Sequence, residues 1–113
     1  MWFAKSREAG EKELRRQGKV FQSGVIFEGL GLLQLAVSDG AAAAESLSQS
    51  RRYYKQGDDI LRASIAETAA LVAMGRKKEA LAFLRKQMRA HPKAHGVEVL
   101  RSIDRMEYLR LNP

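Results

Sequence analysis

The sequence predicts an all-helical fold from three observations. Only two prolines occur in 113 residues; Ala, Leu, Glu, Lys and Arg are abundant while runs of β-branched residues are few; and turn signals recur at helix-length intervals. A chain of this length suits one small domain with a single core that needs no disulfide or metal staple. It contains no Cys, so thiolate nucleophiles and thiolate metal sites are excluded.

The first element is a charged lead-in segment over 1–19, in which Leu14 is the only large apolar residue between Lys5 and Lys19. It reads either as a frayed helix or as an upstream extension of the next one. The helical body follows over 20–113. Its first helix, 20–37, stops at Ser38-Asp39-Gly40, and the second, 41–54, stops at Lys55-Gln56-Gly57-Asp58. Gly57 is expected to take the left-handed conformation that closes the second helix, and Asp58 or Asp59 to cap the third, 59–74. Gly75 closes that helix in the same way. The fourth, 77–90, ends where Pro92 lacks the N–H a continuing helix needs and disfavours helical angles at His91. A last helix is expected over about 96–111. Short connections make successive helices antiparallel neighbours, giving hairpins of about 20–54 and 59–90.

Charge is unevenly distributed. The formal net charge is +7, and most of it lies in one stretch, where Arg76, Lys77, Lys78, Arg85, Lys86, Arg89 and Lys93 face a single acid, Glu79. In the fourth helix Ala80, Leu81, Leu84 and Met88 form an apolar stripe with Phe83 on its edge, while Lys78, Arg85, Lys86 and Arg89 lie away from it. This basic row is a solvated face or a surface for a polyanion or an anionic membrane. The most apolar stretch, 20–37, is interrupted by Gln22, Ser23, Gly24, Glu28, Gly29, Gly31 and Gln34 and falls short of a transmembrane span. The start of the chain lacks the apolar core of a secretory signal, so a cytoplasmic location is the expectation.

Candidate chemistry is sparse. His91 and His95 flank Pro92, which opposes the continuous helix a metal-binding pair at that spacing needs. Ser46, Ser48 and Ser50 sit in no nucleophile elbow. Gly29 and Gly31 form a lone GxG without the preceding strand of a phosphate loop. No enzyme, metal or cofactor is expected. Glu67, within the apolar run IAETAALVAM, is expected to pair with a basic residue at a hairpin interface or to meet a partner's basic or amide group. Tyr53 and Tyr54 read as half-buried amphipathic anchors rather than a base-stacking pair. Trp2 and Phe3, beside Lys5 and Arg7, are candidate anchors to a partner or a membrane interface.

Hairpins of this length prompt a search for a repeat. Phe27-x-x-Leu30-Gly31 with Ala43 and Leu47, counted from Gly24, and Gly75, Ala80, Leu84 and Pro92, counted from Leu61, resemble two degenerate tetratricopeptide repeats. Their starts lie 37 residues apart where the family's period is about 34, which places the extra residues in the 55–59 connection. Ser64, Glu67 and Thr68 occupy first-helix positions that the family fills with large apolar residues or glycine, whereas Ile65, Ala69, Val72 and Ala73 make a better apolar stripe. Either that helix is rotated from the family register or Glu67 is held by a base. The resemblance implies a short right-handed solenoid closed by a capping helix over 96–111. It also implies a non-enzymatic protein–protein interaction module, an adaptor, assembly factor or chaperone-like subunit that binds a peptide segment or helix of another protein, in a complex or a homo-oligomer. Carried over by position, its groove consists of Glu28, Leu32 and Leu35 with Arg62, Ile65, Ala69 and Val72. The alternative expectation is nucleic-acid or anionic-membrane binding through the basic row.

Overall fold

The computed structural model describes residues 2–97 and 100–101, with side chains from Ala9 onward. Four helices follow one another: α1 Trp2–Ala36, α2 Gly40–Tyr53, α3 Gly57–Ala73 and α4 Lys77–Ala90. The described residues contain no strand. The lead-in segment is continuous with the first body helix, so α1 runs for 35 residues. Val97, Leu100 and Arg101 are helical; most of the expected 96–111 helix lies outside the described residues, as do the side chains of Trp2 and Phe3. No helix among the described residues is long and apolar enough to cross a membrane.

Each helix packs on the next, and α1 also meets α3. The two hairpins share one layout. Their helices end at Ala36 and Ala73, restart at Gly40 and Lys77, and end again at Tyr53 and Ala90, always 37 positions apart. The turns correspond as well. After α3, Gly75 adopts φ 79°, its N–H bonds to the Val72 carbonyl at 2.9 Å, and the Arg76 N–H reaches back to Leu71 at 3.0 Å. After α1, Ser38 takes φ 65° at the matching position; its N–H bonds to Leu35 at 3.0 Å and that of Asp39 to Gln34 at 2.8 Å. Both are Schellman closures, which return two otherwise unbonded carbonyls to partners. Asp39 then caps α2 by accepting from the Ala42 N–H at 3.2 Å.

Two expectations at the second turn are corrected. Gly57 does not close α2: that helix ends because Tyr54 turns extended, φ −85° and ψ 144°, and Gly57 is already the first residue of α3. The connection is therefore only 54–56, and the residues expected to lengthen it form the first turn of α3. Nor does Asp58 or Asp59 occupy the cap position, which is held by Gln56 without a side-chain bond. Asp58 instead accepts from the His95 N–H at 2.7 Å and lies 2.6 Å from its Nδ1, pinning the segment after α4 to the start of α3. Asp59 accepts from Arg62 Nη1 at 2.9 Å.

The core has two centres. Ala43, Leu47 and Ala70 join α1, α2 and α3, with Leu35, Ala44 and Ala66 around them. Leu61, Met88 and Val97 join α3, α4 and the following segment. Close approach of α1 and α2 depends on glycine. A Cβ on Gly31 would stand 2.5 Å from Leu47 Cγ, and one on Gly24 would stand 2.8 Å from Tyr54 Cε1. A fully buried leucine such as Leu47 contributes about 1.5–3 kcal/mol, and the missing side chain at Gly31 is what gives it room. Polar groups in this seam bond internally: Ser50 Oγ donates to the Gly24 carbonyl and Ser46 Oγ to Gln34 Oε1, both at 2.6 Å.

Helix α3 keeps its polar side inward. Ser64, Glu67 and Thr68 are buried while Ile65, Ala69 and Val72 are exposed. The apolar stripe is therefore not the packed one. Glu67 accepts from Arg51 Nε at 3.2 Å, and the Arg51 guanidinium lies 5.1 Å from the centre of the Phe83 ring. Ser64 and Thr68 turn their hydroxyls onto the carbonyls of Ile60 and Ser64. No buried side-chain polar atom among the described residues lacks a partner.

Candidate protein-interaction face

Helical periodicity sorts α1 into three sides. Gly24, Phe27, Gly31, Gln34 and Leu35 face the rest of the molecule, and Glu28 sits where α1 comes nearest α3. Beside Glu28, on the adjoining exposed side, lie Phe21, Val25 and Leu32. On α3 the exposed row is Arg62, Ile65, Ala69 and Val72. Because α2 reverses the chain between them, α1 and α3 run the same way, and the Glu28–Arg62 contact sets their register: Leu32 lies level with Ile65, Val25 with the first turn of α3, and Phe21 before that helix begins.

The rows are joined by a polar knot. Arg62 donates from Nε to Glu28 Oε2 at 2.8 Å, from Nη2 to Glu28 Oε1 at 2.9 Å and from Nη1 to Asp59. Tyr54 Oη donates to Glu28 Oε1 at 2.6 Å, and the guanidinium lies 5.5 Å from the Tyr54 ring centre. The Arg62 bonds, offset by burial and helped by the Tyr54 bond, hold the Glu28 carboxyl below the usual range. Burial, with the Glu28 bond second, pushes the Tyr54 hydroxyl up. Arg62 is held more firmly protonated, chiefly by Glu28. All three guanidinium nitrogens donate within the molecule, while the side chain stays half-exposed.

The groove residues named from sequence thus divide into three kinds. Leu32, Ile65, Ala69 and Val72 present open apolar surface, Glu28 and Arg62 brace α1 against α3, and Leu35 is half-buried against the Ala43, Leu47 and Ala70 centre. Phe21 and Val25 belong to the same surface and were not named. Their signal was the spacing 21, 25, 32, which lies on one face of the helix expected over 20–37. Phe21 also packs its ring 5.6 Å from that of Tyr54.

The seven bases Arg76, Lys77, Lys78, Arg85, Lys86, Arg89 and Lys93 are all exposed. Arg76 approaches Glu79 at 3.9 Å. The tyrosines are packed inward: Tyr54 is buried, and Tyr53 stacks on Phe27 with centroids 5.7 Å apart. His91 rests against Gly57 and His95 on Asp58. No three His, Cys, Asp or Glu residues among the described residues converge as metal ligands. The arrangement therefore offers burial of apolar surface beside a satisfied ionic bridge, with a basic surface elsewhere on α4. No family model, curated protein or solved structure matches the chain.

Proposed function

We propose that the chain is a tetratricopeptide-like protein–protein interaction module whose groove, between α1 and α3, receives an amphipathic helix of another protein. The observation that carries this reading is the exposed apolar surface of Leu32 on α1 and of Ile65, Ala69 and Val72 on α3, helices locked together by Glu28 and Arg62, with Phe21 and Val25 extending it along α1 upstream of the bridge. A monomer leaves large apolar side chains in water singly, whereas a run of exposed apolar side chains on two braced helices can form the floor for a partner's apolar stripe. The bridge fixes the spacing of the two helices in advance, so less ordering is lost on binding. The half-exposed Arg62 guanidinium supplies orientation through a carbonyl or carboxylate of the incoming helix.

Affinity capture from a nuclease-treated lysate, washed at low and at high salt, tests this. A defined protein should survive the high-salt wash on the parent and on a variant with Lys78, Arg85, Lys86 and Arg89 changed to Glu. It should be lost from Leu32→Glu and from Ile65→Glu, both at exposed positions. Capture that ignores the groove substitutions and disappears at high salt or with the basic-face variant would move the function to the basic surface of α4.

A further inference from the structure

On the third side of α1, away from both α2 and the groove, Ile26, Leu30, Leu33 and Val37 form a second exposed apolar row. They are 68, 43, 68 and 76% exposed, and no described segment covers them. Val37 lies just past the last residue of α1, but its N–H still bonds to the Leu33 carbonyl at 3.1 Å, so it continues the row. We propose that this row is the contact between two copies of the chain, paired antiparallel through α1.

Two observations point to a second copy. The first is spacing: the row runs 26, 30, 33, 37, with intervals of four, three and four, and so reads the same in both directions. An antiparallel copy then sets Ile26 against Val37, Leu30 against Leu33, and the reverse, which is the self-complementarity a two-fold contact requires. The second is charge. Upstream, the same side of α1 carries Lys12, Arg15 and Lys19, all exposed. A parallel pair would align these bases with their own copies, whereas the antiparallel pair points the two arms in opposite directions. Four aliphatic residues per copy make a small interface and a weak dimer. This contact shares no residue with the groove and stands independently of the function proposed for it.

Sedimentation equilibrium of the full chain, followed over a rising series of protein concentrations, tests the pairing. The parent should be dimeric. Ile26→Glu and Val37→Lys, each at a largely exposed position, should keep the parent's helical circular dichroism yet raise the dissociation constant at least about tenfold. An equimolar mixture of the two variants should regain the dimer, because the antiparallel register sets Glu at position 26 of one copy against Lys at position 37 of the other and leaves the native Val37 and Ile26 pair at the opposite end. A monomeric parent, a dimer indifferent to both substitutions, or variants that fail to associate on mixing would overturn the proposal. Recovery on mixing also excludes misfolding as the cause of the single-variant result.

Discussion

Glu28 and Glu67 are partly buried carboxylates, each held by an arginine, and they respond to pH in opposite senses. Arg62 grips Glu28 with two bonds and lowers its pKa, so the folded state binds its proton less readily than the unfolded chain. That contribution is present above the unfolded value near 4.5 and is lost as pH falls through the folded one. Burial dominates at Glu67 and raises its pKa despite Arg51. Its contribution is present below 4.5 and is lost as pH rises through the folded value. Urea unfolding at pH 7 and pH 3.5 should separate the two. Glu28→Gln should lose about 1 kcal/mol at pH 7, a figure kept small because Arg62 is half-exposed, and should decline less than the parent on acidification. Glu67→Gln should decline more than the parent. Equal slopes for both variants would mean that neither environment is as drawn. Glu67 also shows what was legible in the sequence. A lone acid in an apolar helix announced a paired charge or a partner contact, but spacing within one helix cannot name a base such as Arg51, sixteen residues upstream on α2.

At the level of helices, composition and punctuation carried most of the information. Turns at Ser38-Asp39-Gly40 and Gly75-Arg76 stand out because each sets a capping residue or a left-handed position where apolar periodicity stops. The 54–56 turn was harder to read. Tyr54 ends α2 there for a tertiary reason, its ring lying on Gly24 and its hydroxyl bonding to Glu28, while Gly57 offered a local explanation that the fold does not use. Packing direction in α3 was hidden for a similar cause. Periodicity favours burying Ile65, Ala69 and Val72, but the partners that satisfy Ser64, Glu67 and Thr68 leave those apolar residues outside. The two matching closures make a direct test. Ser38 holds a left-handed conformation that costs a non-glycine residue about 1 kcal/mol, whereas Gly75 holds the same one freely. Thermal and urea unfolding should show Ser38→Gly more stable by about 0.5–1 kcal/mol and Gly75→Ala less stable by about 1 kcal/mol. A neutral result at both sites would mean that the closures do not hold in solution.

Across the whole molecule the described chain measures 70 × 31 × 16 Å, and α1 sets its long dimension. From about Gly24 onward α1 is built into the body. Residues 9–19 are exposed on every side. The contacts described for them include i, i+3 and i, i+4 pairs within the helix, such as the two Arg16 bonds to Glu13 at 2.9 and 2.6 Å and the Gln17 bond to the same carboxylate. Such i, i+3 and i, i+4 pairs add a few tenths of a kcal/mol each and weaken with salt, and a solvated helix of that length is marginal by itself. Hydrogen exchange should therefore divide α1 into three zones. Amides over 9–18 should exchange within about tenfold of an unstructured chain and faster as salt is added, while those over 28–35 should be protected at least a hundredfold, as in α2 and α3. Between them, 20–27 should grade from one regime to the other. Antiparallel pairing through Ile26, Leu30, Leu33 and Val37 leaves the arm outside the contact, so raising protein concentration should slow exchange only toward the end of α1. An arm as protected as the body, or one whose protection grows with concentration, would place the contact between copies on the charged part of α1 instead.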